Sequence, residues 1–196
     1  MLVDRPQVEV TSRRELRRWL AHRHATSPGI WLVRWKRHVA DRHVTYEAVV
    51  EEALCFGWVD SQPRALDARR SMLLLTPRRP ASRWSAANKA RIERLTADGR
   101  MAPAGLAAVA TARANGAWGA LDQVDALAEP EDLAAALDRR AAARRHWDGF
   151  PPSTRRAILE WILTARRSET RARRVAVTVE EAAAGRRAHQ WRRPPP

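Results

Sequence analysis

The spacing of apolar residues changes once along this chain, and that change sets what the chain can fold into. Between Ile30 and Lys36 the residues alternate, with Trp31, Val33 and Trp35 on one face and Leu32, Arg34 and Lys36 on the other. That period of two is the pattern of a strand. From Ser85 onward the pattern is helical and stays so. Strand signals therefore crowd into the first part of the chain. Two or three strands are not stable alone, so helices must pack on them.

Punctuating residues place the elements. Ser12 with Glu15 is a capping-box signature ahead of Leu16, Trp19 and Leu20. Ser27-Pro28-Gly29 is a turn. Thr45 caps a second helix with Tyr46, Val49, Val50, Ala53 and Leu54 at helical spacing, and Gly57 terminates it. Ser71 to Thr76 is a short apolar run stopped by Pro77, most simply a strand, and Trp58 to Gln62 supplies a third. Pro63 to Arg70, between them, is charged and expected at the surface. Helices follow over Ser85–Asp98, ended by Gly99, and Pro103–Asn115, ended by Gly116. Pro130 to about Trp147 reads as one or two helices. Ser153 or Thr154 caps the next, with Ile158, Trp161, Ile162 and Ala165 on one face, and Ser168 opens a last helix ending near Gly185.

The expected class is α+β, mostly helical, with a small two- to three-stranded antiparallel sheet and packed helices. An α/β lobe over residues 1–80 is expected to share one core with a helical C-terminal lobe over 81–188, followed by a flexible tail over 189–196. No run approaches the ~20 apolar residues of a spanning helix, so no membrane insertion is expected. Met1 to Arg14 has neither an apolar core nor a small-residue cleavage site. One cysteine, Cys55, rules out an internal disulfide framework. The cytosol is the expected compartment.

Charge comes next. The chain holds 36 basic and 22 acidic residues, a net +14, and only Lys36 and Lys89 among the basic ones are lysines. Such an excess is the footprint of a nucleic-acid partner. Here it is spread along the chain, and the arginine and alanine skew also resembles the imprint of a GC-rich coding sequence. The densest run is Arg166, Arg167, Arg171, Arg173 and Arg174. It reads either as a surface for nucleic acid or another protein, or as a solvated helix face. Phe and Tyr total only three, too few for the stacking platforms of an RNA reader, and the nine tryptophans sit mostly at periodic core positions.

The six histidines lack the paired spacings of a zinc site, and no phosphate-cradling glycine loop, dinucleotide fingerprint or nucleophile elbow is present. No metal and no cofactor is expected, and an enzyme remains an open reading. Cys55, between Leu54 and Phe56, reads as a buried small hydrophobe rather than a nucleophile. Asp60, beside the aromatic Trp58, reads as a general acid or base or as a partner for Arg64.

The most suggestive segment runs from Thr76 to Lys89. Pro77 ends a strand, Arg78 and Arg79 follow, and Ser82, Trp84 and Ser85 lead into a helix whose first turns hold Asn88 and Lys89. Free N–H groups at that helix start favour an anion. Arg78, Trp84, Ser85, Asn88 and Lys89 are thus candidate ligands for a small anionic molecule in a cleft between the lobes, with Lys89 and Asp60 as candidate catalytic groups. The alternative uses the same residues internally: Ser85 as a helix cap, Trp84 as an anchor, Arg78 paired with a carboxylate such as Asp60.

Four stretches occur together: ALCFGWVDS at Ala53–Ser61, TPRRPASRWSAANKARIERL at Thr76–Leu95, GRMAPAGL at Gly99–Leu106 and ARRSETRARRV at Ala165–Val175. In this order they resemble the YdeI/OmpD-associated family, also described as bacteriocin-protection proteins. The resemblance runs from Trp19 to about Gly185, with the last two stretches similar to the family's C-terminal helical module. It implies a small bacterial protein linked to tolerance of bacteriocins or cationic peptides and to general stress, with a porin association in the name. It implies no settled chemistry.

Overall fold

The computed structural model describes residues 5–189. Four strands form one sheet in the order β1-β2-β4-β3: β1 (Gln7–Val10), β2 (Ile30–Trp35), β3 (Trp58–Ala65) and β4 (Arg70–Pro77). β4 runs antiparallel to both β2 and β3, while β1 lies parallel to β2. The sheet is therefore mixed and one strand larger than the two- to three-stranded antiparallel sheet expected. The added strand is Gln7–Val10, four residues whose alternation is too short to stand out from sequence. A parallel partner needs a crossover, and α1 (Arg13–Arg23) supplies it.

The helices begin and end largely where the caps point. Ser12 Oγ accepts from the Glu15 N–H at the start of α1, and Thr45 Oγ1 accepts from the Ala48 N–H at the start of α2 (Tyr46–Cys55). The Glu15 carboxylate turns back one residue further than a capping box predicts, to the Thr11 N–H and hydroxyl. α3 (Ala86–Ala97) and α4 (Pro103–Ala114) follow. Gly99 and Gly116 just beyond them take φ of 65° and 79°, the left-handed region that glycine enters without a steric cost.

The chain divides into two compact units, Met1–Ala120 and Leu121–Pro196. The first extends well past residue 80 because α3 and α4 bury Ile92, Leu95, Val109 and Ala112 in the same cluster as the sheet residues Ile30, Leu32, Trp58, Leu73 and Leu75. The second unit has its own cluster. It consists of α5 (Asp122–Asp125), α6 (Glu131–Asp138), α7 (Ala141–Asp148), α8 (Pro152–Leu163) and α9 (Ser168–Ala183). α8 starts at Pro152, so Ser153 and Thr154 lie in its first turn rather than capping it; proline suits that position because the N–H it lacks has no partner there. Trp147 is fully buried and donates its indole N–H to Glu129 at 2.8 Å. His189, first residue of the expected flexible tail, stacks on Trp161, and residues 190–196 lie outside the described residues.

Each sheet face is covered differently. The helix-facing side carries Ile30, Leu32, Leu73 and Leu75, and the opposite side a second cluster of Trp31, Val33, Met72 and Leu74. Guanidinium groups roof its edges: Arg64 stands over Trp31, and Arg42, Arg69 and Arg70 over Trp35, at 5.1–5.8 Å. Glu9 ties this roof down, accepting from Trp35 Nε1 at 3.1 Å and from Arg70 at 2.8 Å.

On the helix side a buried acidic pair holds the layer together. Glu52, with no solvent exposure, accepts from Arg13, Arg17 and Arg100 at 2.5–2.8 Å. Its neighbour Glu51 accepts from Arg13 and Arg94. Burial alone would raise the Glu51 carboxyl, but the hydrogen bonds from Arg94 and Arg13 outweigh it and hold the group below its ordinary range. Gly105 provides the second close junction: a Cβ there would overlap the Cys55 carbonyl, so α4 can approach the end of α2 only through glycine.

Three outcomes follow for stability. Glu52→Ala removes a buried acceptor from three arginines that are each about a third exposed and can partly rehydrate; chemical denaturation should show a loss of about 2–4 kcal/mol. Gly105→Ala should destabilise by about 1–3 kcal/mol through overpacking, although alanine in a free helix would gain about 1 kcal/mol. Glu51 has a folded pKa below its unfolded value, so its contribution is complete above that value and lost as pH falls through the folded one. Denaturation midpoints should thus be flat from about pH 5 to 8 and fall below pH 5, less steeply in Glu51→Gln.

Candidate functional site

The strand end and helix start singled out by sequence are adjacent, but most of their side chains face inward or toward one another. Ser85 Oγ accepts from the Asn88 N–H at 3.4 Å and caps α3. Asn88 Oδ1 accepts from Arg91 at 3.1 Å. The Lys89 ammonium sits 5.5 Å from the centre of the Trp118 ring. Arg78 lies 3.9 Å over the fully buried Trp84 and donates to the Arg83 carbonyl at 3.0 Å. Burial pulls the Arg78 guanidinium down to about 10, with the nearby Asp60 charge opposing that shift. Arg78 Nε and Trp84 Nε1 are buried with no partner among the described residues. Of the candidates, Arg78 and Trp84 share a recess of only about 90 Å³ with Arg79, Pro80, Ala108 and Thr111, and Ser85, Asn88 and Lys89 are not part of its lining.

A larger basin opens on the other side of the strand end. Arg5, Thr76, Arg79 and Ser82 line it with Pro28, Val59 and Pro77, enclosing about 330 Å³. Arg78 is stacked on Trp84 and lines the small recess alone, whereas the exposed Arg79 borders both that recess and the basin. Arg5 is held by donating to the Pro28 carbonyl. Gly29, at φ 132°, lets the Ser27-Pro28-Gly29 turn run against Arg5, the Leu75 carbonyl and Thr76, where a Cβ would collide with all three. No carboxylate is among the residues lining the basin.

The third recess lies at the far end of the helix-facing sheet surface. Arg34, Tyr46, Asp60, Ser61, Pro63, Ser71, Met72 and Leu73 surround about 360 Å³. Tyr46 donates its hydroxyl to Asp60 Oδ2 at 2.7 Å, while Arg64, the partner expected for Asp60, stands over Trp31. Burial and that hydrogen bond raise the Tyr46 phenol to about 12, so it stays protonated at neutral pH. Arg34 was legible from sequence as a charged residue on the same face as Leu32. That parity, which carries it to the helix side of the sheet, is the signal that could have marked it as a site residue. Tyr46 carried no such signal.

Two of the five C-terminal arginines are occupied within the second unit. Arg171 makes a paired contact with Asp132 at 2.7 and 2.8 Å. Arg174 donates to the Trp161 carbonyl and to Thr164, and stands over the Trp161 ring. Arg166, Arg167 and Arg173 are exposed. Cys55 is fully buried, and burial with the neighbouring Glu52 charge pushes its thiol up, away from the reactive thiolate. No helix is long and apolar enough to cross a membrane among the described residues.

None of the curated proteins and none of the solved structures matches this chain. Two families do. Residues 8–108 match a domain of unknown function (DUF8412), which takes in the sheet and reaches into α4, including the Gly99–Leu106 stretch. Residues 126–185 match the family described as bacteriocin-protection, YdeI or OmpD-associated, so that resemblance holds for the C-terminal part of the chain. With just over half of its length matched by the first, the chain belongs to the DUF8412 family and carries a bacteriocin-protection, YdeI or OmpD-associated domain in its second unit.

Proposed function

We propose that this protein is a cytosolic factor of the bacteriocin- or stress-tolerance type whose N-terminal unit captures a small oxyanion. One observation carries the reading: Arg5 and Arg79 converge with the Thr76 and Ser82 hydroxyls on a basin that no carboxylate lines. Guanidinium groups and hydroxyls supply several N–H and O–H donors to a group rich in acceptors, and phosphate or a phosphomonoester fits that requirement better than a single carboxylate. The basin is adjacent to the Thr76–Arg78 strand end, beside the segment in which an anion site is expected from sequence, although it uses Arg5, Thr76, Arg79 and Ser82 in place of the residues expected there. The family description of the second unit supplies the biological context. Nucleic acid is the weaker reading of the same charge, because Arg171 and Arg174 already have partners in their own unit.

Titration calorimetry and thermal shift with inorganic phosphate, glycerol phosphate and acetate, at matched ionic strength, test this. Phosphate or its ester should raise the melting temperature, and at a hundredfold excess over Kd the gain is about 2.7 kcal/mol. Arg79→Ala, at an exposed position, should leave the unliganded melting temperature unchanged and weaken binding by about tenfold or more. No response to phosphate, or an undiminished response in Arg79→Ala, would sink the proposal.

A further inference from the structure

We infer that the recess bounded by Arg34, Tyr46 and Asp60 is a second binding site, for a small carboxylic acid that also carries a hydroxyl or ammonium donor. It is separate from the oxyanion basin in residues and in chemistry. The basin offers guanidinium and hydroxyl groups and no carboxylate. This recess offers a donor and an acceptor, both left incomplete by the protein.

The incompleteness is specific. Arg34 Nη1 is buried with no hydrogen-bond partner among the described residues, and its guanidinium is placed against the Tyr46 ring at 5.9 Å without an ion pair. A buried N–H left without an acceptor costs free energy, so an acceptor is expected to arrive from elsewhere. Asp60 receives the Tyr46 hydroxyl on Oδ2, which leaves lone pairs on Oδ1 for an incoming donor. Ser61 and Ser71 add hydroxyls that turn to suit either role, while Pro63, Met72 and Leu73 form apolar wall. At about 360 Å³ the recess is at the small end of ligand pockets.

Backbone irregularity opens it. Leu75 pairs with Asp60 and Leu73 with Pro63, so three steps along β3 match two along β4. The extra residue is a bulge, which bends a strand and re-aims its side chains. It falls between Asp60 and Pro63, both of which line the recess, and Pro63 suits this outermost strand because it has no N–H to pair. A molecule with a carboxylate for Arg34 and a donor for Asp60 satisfies both, and a ligand with only one of these leaves the other group unmet by the ligand.

The experiment is calorimetry on the full chain with lactate, 3-hydroxybutyrate, alanine and γ-aminobutyrate, which space the donor differently, against acetate and methylammonium, which each carry one half. At least one bifunctional acid should bind about tenfold or more tightly than acetate. Arg34→Gln and Asp60→Asn should each remove that preference, and Arg79→Ala should leave it intact. Ser71→Val, a substitution that suits a strand, removes a lining hydroxyl and narrows the recess without touching either charge, and should weaken binding several-fold with the melting temperature retained. The inference is overturned if no member of the panel binds, if acetate binds as well as the bifunctional acids, or if binding is undiminished in Ser71→Val. Failure of phosphate binding with this preference intact would count against the oxyanion basin alone.

Discussion

The N-terminal unit is organised around two adjacent carboxylates that no water reaches freely. Glu51 and Glu52 lie on α2, and the arginines that meet them come from α1, from α3 and from the loop beyond it. A carboxylate stripped of water costs several kcal/mol unless hydrogen-bonded donors replace the solvent. Glu52 can therefore be buried only if α1 and the loop after α3 are in place together. The three segments are coupled by that requirement more tightly than by apolar contact, which tolerates small slides. Gly105 adds a steric version of the same rule, since α4 sits on the Cys55 carbonyl at a distance that admits no side chain.

This arrangement changes the meaning of the arginine excess. A net charge of +14 suggests a polyanionic partner. Many of the arginines instead have partners in their own unit: Arg13, Arg17, Arg94 and Arg100 on the acidic pair, Arg42, Arg64, Arg69 and Arg70 on the tryptophans of the second sheet face, and Arg144 on Glu129. Arginine suits these places because a planar guanidinium both stacks on an indole and grips a carboxylate, which an ammonium does less well. What matters for ligand binding is which arginines line a recess: Arg5 and Arg79 at the basin and Arg34 beside Tyr46.

Local signals in the sequence were strong where the backbone rule is local. Ser12, Thr45 and Ser85 cap the helices they precede, and Gly57, Gly99 and Gly116 take the positive φ that ends helices. The resemblance to the YdeI/OmpD-associated family was readable in Ala165–Val175 and is shown for the second unit. Non-local facts were hidden. The parallel strand Gln7–Val10 depends on a partner twenty-four positions away, Gln7 opposite Trp31. Ser85 and Asn88 lie near Arg78 along the chain, yet Ser85 Oγ caps α3 and Asn88 Oδ1 accepts from Arg91. Sequence spacing places residues on an element but does not say which atoms are left over after internal bonding.

Arg78 shows why leftover valences matter more than proximity. Its guanidinium is pulled down to about 10 by burial, and it stacks on the Trp84 indole. Stacked on Trp84 and bonded to the Arg83 carbonyl, it spans the loop from Pro77 to Ser85 at both ends. The backbone N–H of Arg78 also donates to the Gly57 carbonyl at 2.9 Å, fixing the start of that loop to the end of α2. Arg79 and Ser82 lie between these anchors. Holding the loop rigid lowers the entropy lost when a ligand orders it, so Arg78 is best understood as a positioning residue. In the proposed oxyanion reading it sets the donors of the basin without contacting the anion.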